Sequence, residues 1–353
     1  MILVIYIMVK NNITKSIEGK RKLKLHNNPS HPVCMFKKHV QQYFDGYEIF
    51  DNLDEVVSVK DNFDDLLIPV DHPGRSLNDT YYLDDEHVLR SHTSAHQNQL
   101  LKQGHKQFLA TGDVYRKDTI DRTHYPVFHQ MEGVKILQNG EDALTDLKTT
   151  LGGLIEYLYP GREYRFEDDY FPFTDPSLQV EVKSDEGWME VLGGGVIQPK
   201  ILENCGVEGT GWAFGLGIDR LLMSYCGIPD IRYIWTDDER FISQFENGLT
   251  QFKVYSKYPP VQRDVSFWVN GFTENQEGLW IGHNDFCEIV RELGGDLIES
   301  VSVIDRFVKN DKVSLAYRII YRSNDKTLLN EEINQIQEAI RDQISNRFNI
   351  ELR

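Results

Sequence analysis

"GDVYRKDTIDRTHYPVFHQMEG", residues 112–133, decides how the rest of the chain is read. Strand side chains alternate in direction. Phe128, Gln130 and Glu132 therefore share one face, and Val127, His129 and Met131 share the other. Upstream, Val114, Arg116 and Asp118 have a common parity. The polar run between them, residues 119–124, suits a loop joining two antiparallel strands. Such a hairpin presents a cation, an aromatic ring, an amide and two carboxylates on one surface. The planar fork of arginine matches phosphate. A phenyl ring stacks on a nucleobase, and Gln with Glu can hold an ammonium group. By itself the stretch leaves one alternative open, a half-buried hairpin with a solvated polar face.

Three further stretches carry chemistry. "AFGLGIDR", 213–220, reads as a strand, a Gly turn and a helix, with Arg220 in the first helical turn. A lone Gly-x-Gly is weak evidence for a dinucleotide site; with Arg220 it reads as a second phosphate anchor, or as a tight turn made for packing. "YFPFTDP", 170–176, sets Phe171 and Phe173 on one side, where they can bracket an aromatic substrate edge-to-face or belong to the core. Pro172 between them predicts an edge or a loop. "LRSHTSAHQ", 89–97, has His92 and His96 at a spacing that can bind zinc on a helix, but Thr93 stands where the metalloprotease motif needs Glu. His92 and Ser94 read better as polar ligands to a substrate.

Around these stretches the pattern predicts a helix within 32–44, strand and loop over 47–75, a helix over much of 92–104 and a helix over 141–159 ended by Pro160-Gly161. Strands follow within 164–183 and 187–199. Residues 241–257 read as a connector. Beyond it the order is strand, helix, strand, strand, helix and a short strand, a ferredoxin-like unit, with Asn330 a candidate N-cap. In "KVSLAYRIIYRS" the alternation puts Val313, Leu315, Tyr317, Ile319 and Tyr321 inward. Arg318 and Arg322 then face solvent, a candidate RNA surface that Arg306, Lys309 and Lys312 extend; a merely solvated charged face is the other reading.

The totals narrow the classes. Two domains suit 353 residues, and a net charge of −17 argues against nonspecific DNA coating or membrane-surface binding. The four cysteines are far apart, with neither zinc nor disulfide-scaffold spacing. The apolar start "MILVIYIMVK" is too short to span a bilayer. The basic stretch 10–24 fits either an organelle transit peptide or a frayed tail. The division expected is a basic extension over 1–30, a catalytic domain over 31–240, a connector over 241–257 and a ferredoxin-fold domain over 258–353.

Taken together, "HPV", "NFDDLLIPVDHPGR", "LRSHTSAHQ", "GDVYRKD", "HYPVFHQMEG", "YFPFTDPS", "EVLGGGV" and "GWAFGLGIDRLLMSYCGIPDIR" resemble the single-chain, mitochondrial type of phenylalanyl-tRNA synthetase, from about residue 25 to the end. The resemblance implies an α+β fold, with the antiparallel sheet of a class II synthetase flanked by helices and a ferredoxin-like anticodon-binding domain behind it. It implies ATP, Mg2+, L-phenylalanine and tRNA(Phe) as ligands, a monomer in the mitochondrial matrix, and no membrane partner. Arg116 would meet the α-phosphate, Arg220 the γ-phosphate end, and Asp118 and Phe128 the adenine. His92, Ser94, Gln130 and Glu132 would line the amino and carboxyl region of the substrate. Phe171 and Phe173 would meet its ring, Ala213 and Gly193–Gly195 would leave room at the pocket floor, and Glu190 would offer a metal ligand. The chain departs from the family pattern at Glu55, where the first motif usually has proline, and at Asp118, where the carboxylate is often Glu. An inactive paralogue that binds RNA or senses an amino acid, and another class II synthetase, are the competing readings.

Overall fold

The structure, a computed structural model, describes residues 11–138, 140–184, 187–255, 258–276, 278–309, 312–323 and 326–353. The apolar start, Lys10 and the last two residues of the connector lie outside them. The first module holds helices α1 (Lys15–Arg21), α2 (Pro32–Tyr43), α3 (Val59–Asn62), α4 (Gln97–Lys102), α5 (Ala143–Leu158), α6 (Pro199–Cys205), α7 (Ile218–Cys226) and α8 (Glu239–Ile242). Its strands are β1 (Glu48–Phe50), β2 (Val56–Ser58), β3 (His87–Leu89), β4 (Gln107–Tyr115), β5 (Val127–Leu137), β6 (Tyr164–Asp169), β7 (Thr174–Ser184), β8 (Gly187–Ile197) and β9 (Thr210–Gly217). Seven of them form one sheet in the order β1-β4-β5-β9-β8-β7-β6. All neighbours are antiparallel except the edge pair β1–β4, which runs parallel.

The alternation read from the central hairpin decides which sheet face does what. Leu109, Val127 and Met131 point into the main core, against Phe36 and Val40 of α2, Leu147 and Leu151 of α5 and Leu222 of α7. Phe108, Ala110, Val134 and Ala213 pack the other way, on Leu100 of α4 and Ile201 of α6. On that second face lie Phe128, Gln130 and Glu132.

The second module runs β10 (Val261–Val269), α9 (His283–Gly294), β11 (Ile298–Lys309), β12 (Lys312–Tyr321), α10 (Asn330–Arg347) and β13 (Ile350–Leu352). Its sheet order is β11-β12-β10-β13, the ferredoxin-like arrangement expected. Val313, Leu315, Tyr317, Ile319 and Tyr321 are buried in its core, as their parity requires. Asn330 is not the N-cap. That position falls to Leu329, whose N–H reaches Glu332 Oε2 at 3.2 Å, while Asn330 accepts from Arg263 at 2.8 Å.

Residues 15–21 are neither frayed nor extended. They form a helix with Thr14 as N-cap. Its charges are paired across the fold: Arg21 with Glu55 at 3.0 Å and Lys20 with Asp296 at 3.4 Å. Glu55 also accepts from Lys24 at 2.7 Å. The carboxylate standing in place of the usual proline is thus an anchor for the N-terminal segment.

Candidate active site

A cavity of about 800 Å3 opens on the sheet face described above. Its walls include His92, Ser94, Arg116, Asp118, Gln130, Glu132, Phe171, Phe173, Glu190, Gly193 and Ala213, drawn from stretches that span about a hundred residues of sequence. Two expected residues, Phe128 and Arg220, are not among the walls. Each is tied to Arg116, which is.

Arg116 lies one residue beyond the end of β4, so it and Asp118 belong to the loop of the hairpin rather than to a strand. Three contacts fix it. Its N–H bonds Pro126 O at 3.0 Å, its Nε donates to Ser91 O at 2.7 Å, and its guanidinium lies 5.3 Å above the ring of Phe128. Burial lowers its pKa from the ordinary arginine value; Asp118 and Glu190 act to raise it, and the charge of Arg220 adds to the lowering. The two guanidinium groups therefore feel one another, and an anion between them relieves both burial and repulsion.

Arg220 sits in the first turns of α7, which follows β9 directly with Gly217 as N-cap. The expected Gly turn is absent, because Gly215 and Gly217 are strand residues. At Gly215 the reason for glycine is a side chain: a Cβ there would stand 2.8 Å from Gln130 Nε2. Gln130 in turn accepts from Thr93 N at 3.0 Å.

Another part of the lining is buried. Glu132 is 1% exposed, and neither carboxylate oxygen has an aligned donor. Burial pushes its pKa up to about 8, with the Ser94 hydroxyl offsetting part of the rise. His92 also lacks an aligned partner on either nitrogen, and burial, with Arg116 adding to it, lowers its pKa to about 3. A neutral imidazole and a carboxyl awaiting a cation suit an ammonium ligand. Beside them Phe171 and Phe173 lie in a turn, not on a strand, as Pro172 foretold. Their rings are stacked on one another, 5.7 Å apart at 15°. A Cβ on Gly193 would meet Phe171 Cζ at 2.7 Å, so this glycine is the seat of the ring. Ala213, 4% exposed, closes the floor.

Glu190 is exposed toward the cavity, and no triad of metal-capable side chains converges on it among the described residues. A lone carboxylate is what a phosphate-borne magnesium ion uses. The His92–His96 pair is not a metal site either, since His96 Nε2 faces Arg90 at 2.9 Å. On the second module, Arg318 forms a two-pronged pair with Asp264 at 2.9 Å, and Arg322 pairs with Glu299. Neither cation is free. Trp268 and Phe307, which no sequence pattern singled out, flank Ser314 on the same outward face, with Arg353 5.3 Å over the Trp268 ring. Their alternation was legible, but not that Phe307 stands exposed beside a half-buried Trp268. The cavity walls supplied by the second module, such as Asn275 and Asn284, had no local signal at all.

Comparison with known proteins agrees with this geometry. Residues 15–245 match the family of tRNA synthetases class II core domain (F), and residues 256–353 match the ferredoxin-fold anticodon binding domain. The chain is 48% identical to the chloroplastic/mitochondrial phenylalanine–tRNA ligase of Arabidopsis thaliana, covering 97% of this chain and 83% of that one. This chain belongs to the phenylalanine–tRNA ligases of class II. The mitochondrial phenylalanine–tRNA ligase of Dictyostelium discoideum is 41% identical over 97% of this chain and 89% of its own. The phenylalanine–tRNA ligase alpha subunit of Psychrobacter arcticus is 39% identical but aligns with only 61% of this chain and 63% of its own. As a class II synthetase the enzyme takes ATP, an amino acid and tRNA, with a divalent metal.

Proposed function

We propose that the chain is a phenylalanine–tRNA ligase that activates L-phenylalanine with Mg-ATP and transfers it to the terminal ribose of tRNA(Phe). The observation that carries the reading is a cavity whose lining brings the Arg116 guanidinium together with a buried carboxyl and two stacked phenyl rings. In the first step the phenylalanine carboxylate attacks the α-phosphorus and pyrophosphate leaves. Arg116 and Arg220 would meet the charge that grows on phosphorus, and no protein nucleophile is needed. Phe128 and Asp118 serve the adenine, and Glu190 would hold the magnesium ion. Glu132, Gln130, Ser94 and His92 receive the amino and carboxyl region, while Phe171, Phe173 and Ala213 receive the ring. In the second step a ribose hydroxyl, the 2′ by family resemblance, attacks the acyl carbon and AMP leaves.

The outward face of the second module, with Arg318, Arg322, Trp268 and Phe307, is assigned to tRNA. The chain acts as a monomer in the mitochondrial matrix, a reading supported by the single-chain organization and by the mitochondrial names of its relatives. No helix among the described residues is long and apolar enough to cross a membrane.

Pyrophosphate exchange across the twenty amino acids tests the assignment, and exchange led by an amino acid other than phenylalanine refutes it. Arg116→Ala is expected to lower that exchange by about 10²–10³-fold, the cost of one lost charge-stabilizing donor.

A further inference from the structure

On the core side of the catalytic sheet, behind the cavity, four ionizable side chains meet: His26, Asp113, His129 and Asp219, all between 0 and 3% exposed. His26 comes from the N-terminal segment, Asp113 from β4, His129 from β5 and Asp219 from the first turn of α7. His26 Nδ1 stands 2.8 Å from Asp113 Oδ1, and His129 Nε2 stands 3.5 Å from the same oxygen. On its far side His129 Nδ1 meets Asp219 Oδ2 at 2.9 Å, and its backbone N–H donates to that oxygen at 2.6 Å.

The ring nitrogens cannot all be satisfied by neutral histidines. His26 Nε2 faces Asp51 O at 3.2 Å, so a neutral His26 turns a lone pair either on that carbonyl or on Asp113. A neutral His129 that donates to Asp219 turns its other lone pair on Asp113. Two buried carboxylates then need positive partners: an imidazolium at His129 stands between them, and Lys24 Nζ lies 3.6 Å from Asp113 Oδ2. Burial lowers the pKa of His26, and Asp113 opposes it. For His129 the attraction of Asp219 and Asp113 outweighs burial, and its pKa is raised.

We propose that this His26–Asp113–His129–Asp219 cluster, held by close contacts of opposite charge and by the His129–Asp219 hydrogen bonds, positions Arg220 relative to Arg116 and thereby sets the grip on ATP. The covalent connections are short: Asp219 immediately precedes Arg220, and Asp113 lies three residues before Arg116. The four are positioning residues, since none lines the cavity. One other species fits the same place. His26 Nδ1, Asp113 Oδ1 and His129 Nε2 all lie within 4.8 Å of one another, as ligands of a divalent ion would. The 2.8 Å separation favours direct contact of the two side chains over a bridging ion, because neighbouring ligands of tetrahedral zinc at its usual bond lengths stand roughly 3.3 Å apart.

The inference rests on ATP-dependent activation, so pyrophosphate exchange by the unaltered full chain is the baseline; its absence overturns that reading and not this one. Given that baseline, Asp219→Asn is expected to raise the KM for ATP about 10–100-fold. The KM for phenylalanine stays within about twofold, because only one end of the site loses its geometry, while the thermal midpoint falls as the buried His129 loses its partner. Asp219→Glu, which keeps the charge, recovers most of the loss. The cycle of His26→Gln, Asp113→Asn and the double variant supplies a second measurement: the double variant is expected to lose less than the product of the two single losses. Equal rises in both KM values, a multiplicative cycle, or stoichiometric zinc in the purified unaltered protein would each overturn the proposal. Should Asp219→Asn fail to fold, the cycle and the metal analysis decide.

Discussion

At the scale of single residues, Glu132 makes the most exposed prediction. Burial pushes its pKa up to about 8, so the enzyme without substrate holds a protonated carboxyl at neutral pH. The ammonium of phenylalanine needs the ionized form, so binding must expel a proton. The sign follows: affinity for phenylalanine rises as pH rises toward 8, by about tenfold per unit for one coupled proton. Calorimetric titration in buffers of different ionization enthalpy is expected to show close to one proton released at pH 7. The pH slope vanishes in Glu132→Gln, whose affinity is low throughout. Burial of this acid also works against the fold. A carboxyl whose folded pKa is raised loses stability as pH climbs from its unfolded pKa toward 8. Glu132→Gln is therefore expected to be more heat-stable than the parent at pH 8 and no more stable at pH 4. Gly193 offers an independent check on the other end of the substrate. Alanine there drives a Cβ to 2.7 Å from Phe171 Cζ. The KM for phenylalanine should rise by about tenfold with that for ATP little changed.

At the scale of elements, what periodicity can express was legible and what distance decides was not. The α5 stripe of Leu147, Leu151, Leu154 and Leu158 announced a helix, and it is one. The alternation in β12 announced an inward row, and every member is buried. The short α1 and α6 were not anticipated. A seven-residue helix spans two turns and has too few repeats to reveal its period. The phosphate-anchor pattern at Gly215 was read as turn chemistry, whereas the glycine makes room for Gln130, a contact between strands that lie 85 residues apart in sequence. The assigned RNA face shows the same limit: its arginines were found by parity, but their carboxylate partners come from other elements. That pairing shifts the expected weight toward the aromatic row. Trp268→Ala with Phe307→Ala is expected to weaken tRNA binding by at least tenfold, since stacking contributes about 1–3 kcal/mol per base. Pyrophosphate exchange, measured without tRNA, should stay at the parental rate. Arg318→Ala with Arg322→Ala should instead flatten the salt dependence of tRNA affinity.

At the scale of the whole molecule, the two modules are joined through the very loop that carries the ATP-directed residues. Ile120 belongs to the core of the ferredoxin-like module, and Val301 N donates to its carbonyl at 2.8 Å. Arg122 and Arg322 clasp Glu299 from opposite modules. Arg291 donates to Asp118 O at 3.1 Å and pairs with Glu288 at 2.9 Å, and Glu288 also accepts from Tyr81 at 2.7 Å and Thr14 at 3.2 Å. Glu288 and Arg291 are each 6% exposed, so this junction is a buried, charged one rather than a rim contact. Removing one partner of such a pair strands the other in low dielectric, and the cost is about 3 kcal/mol or more. Glu288→Gln keeps the shape and discards the charge. Its midpoint of urea unfolding should fall accordingly, and its pyrophosphate exchange should fall with it, because Arg291 loses the anion that holds it against the Asp118 carbonyl. Lys200→Ala, which breaks an exposed pair with Glu203 on the first module, is expected to move neither quantity measurably. An unchanged midpoint and exchange rate in Glu288→Gln would mean that the junction contributes contact without energy, and that the ATP-directed loop keeps its shape independently of the module docked on it.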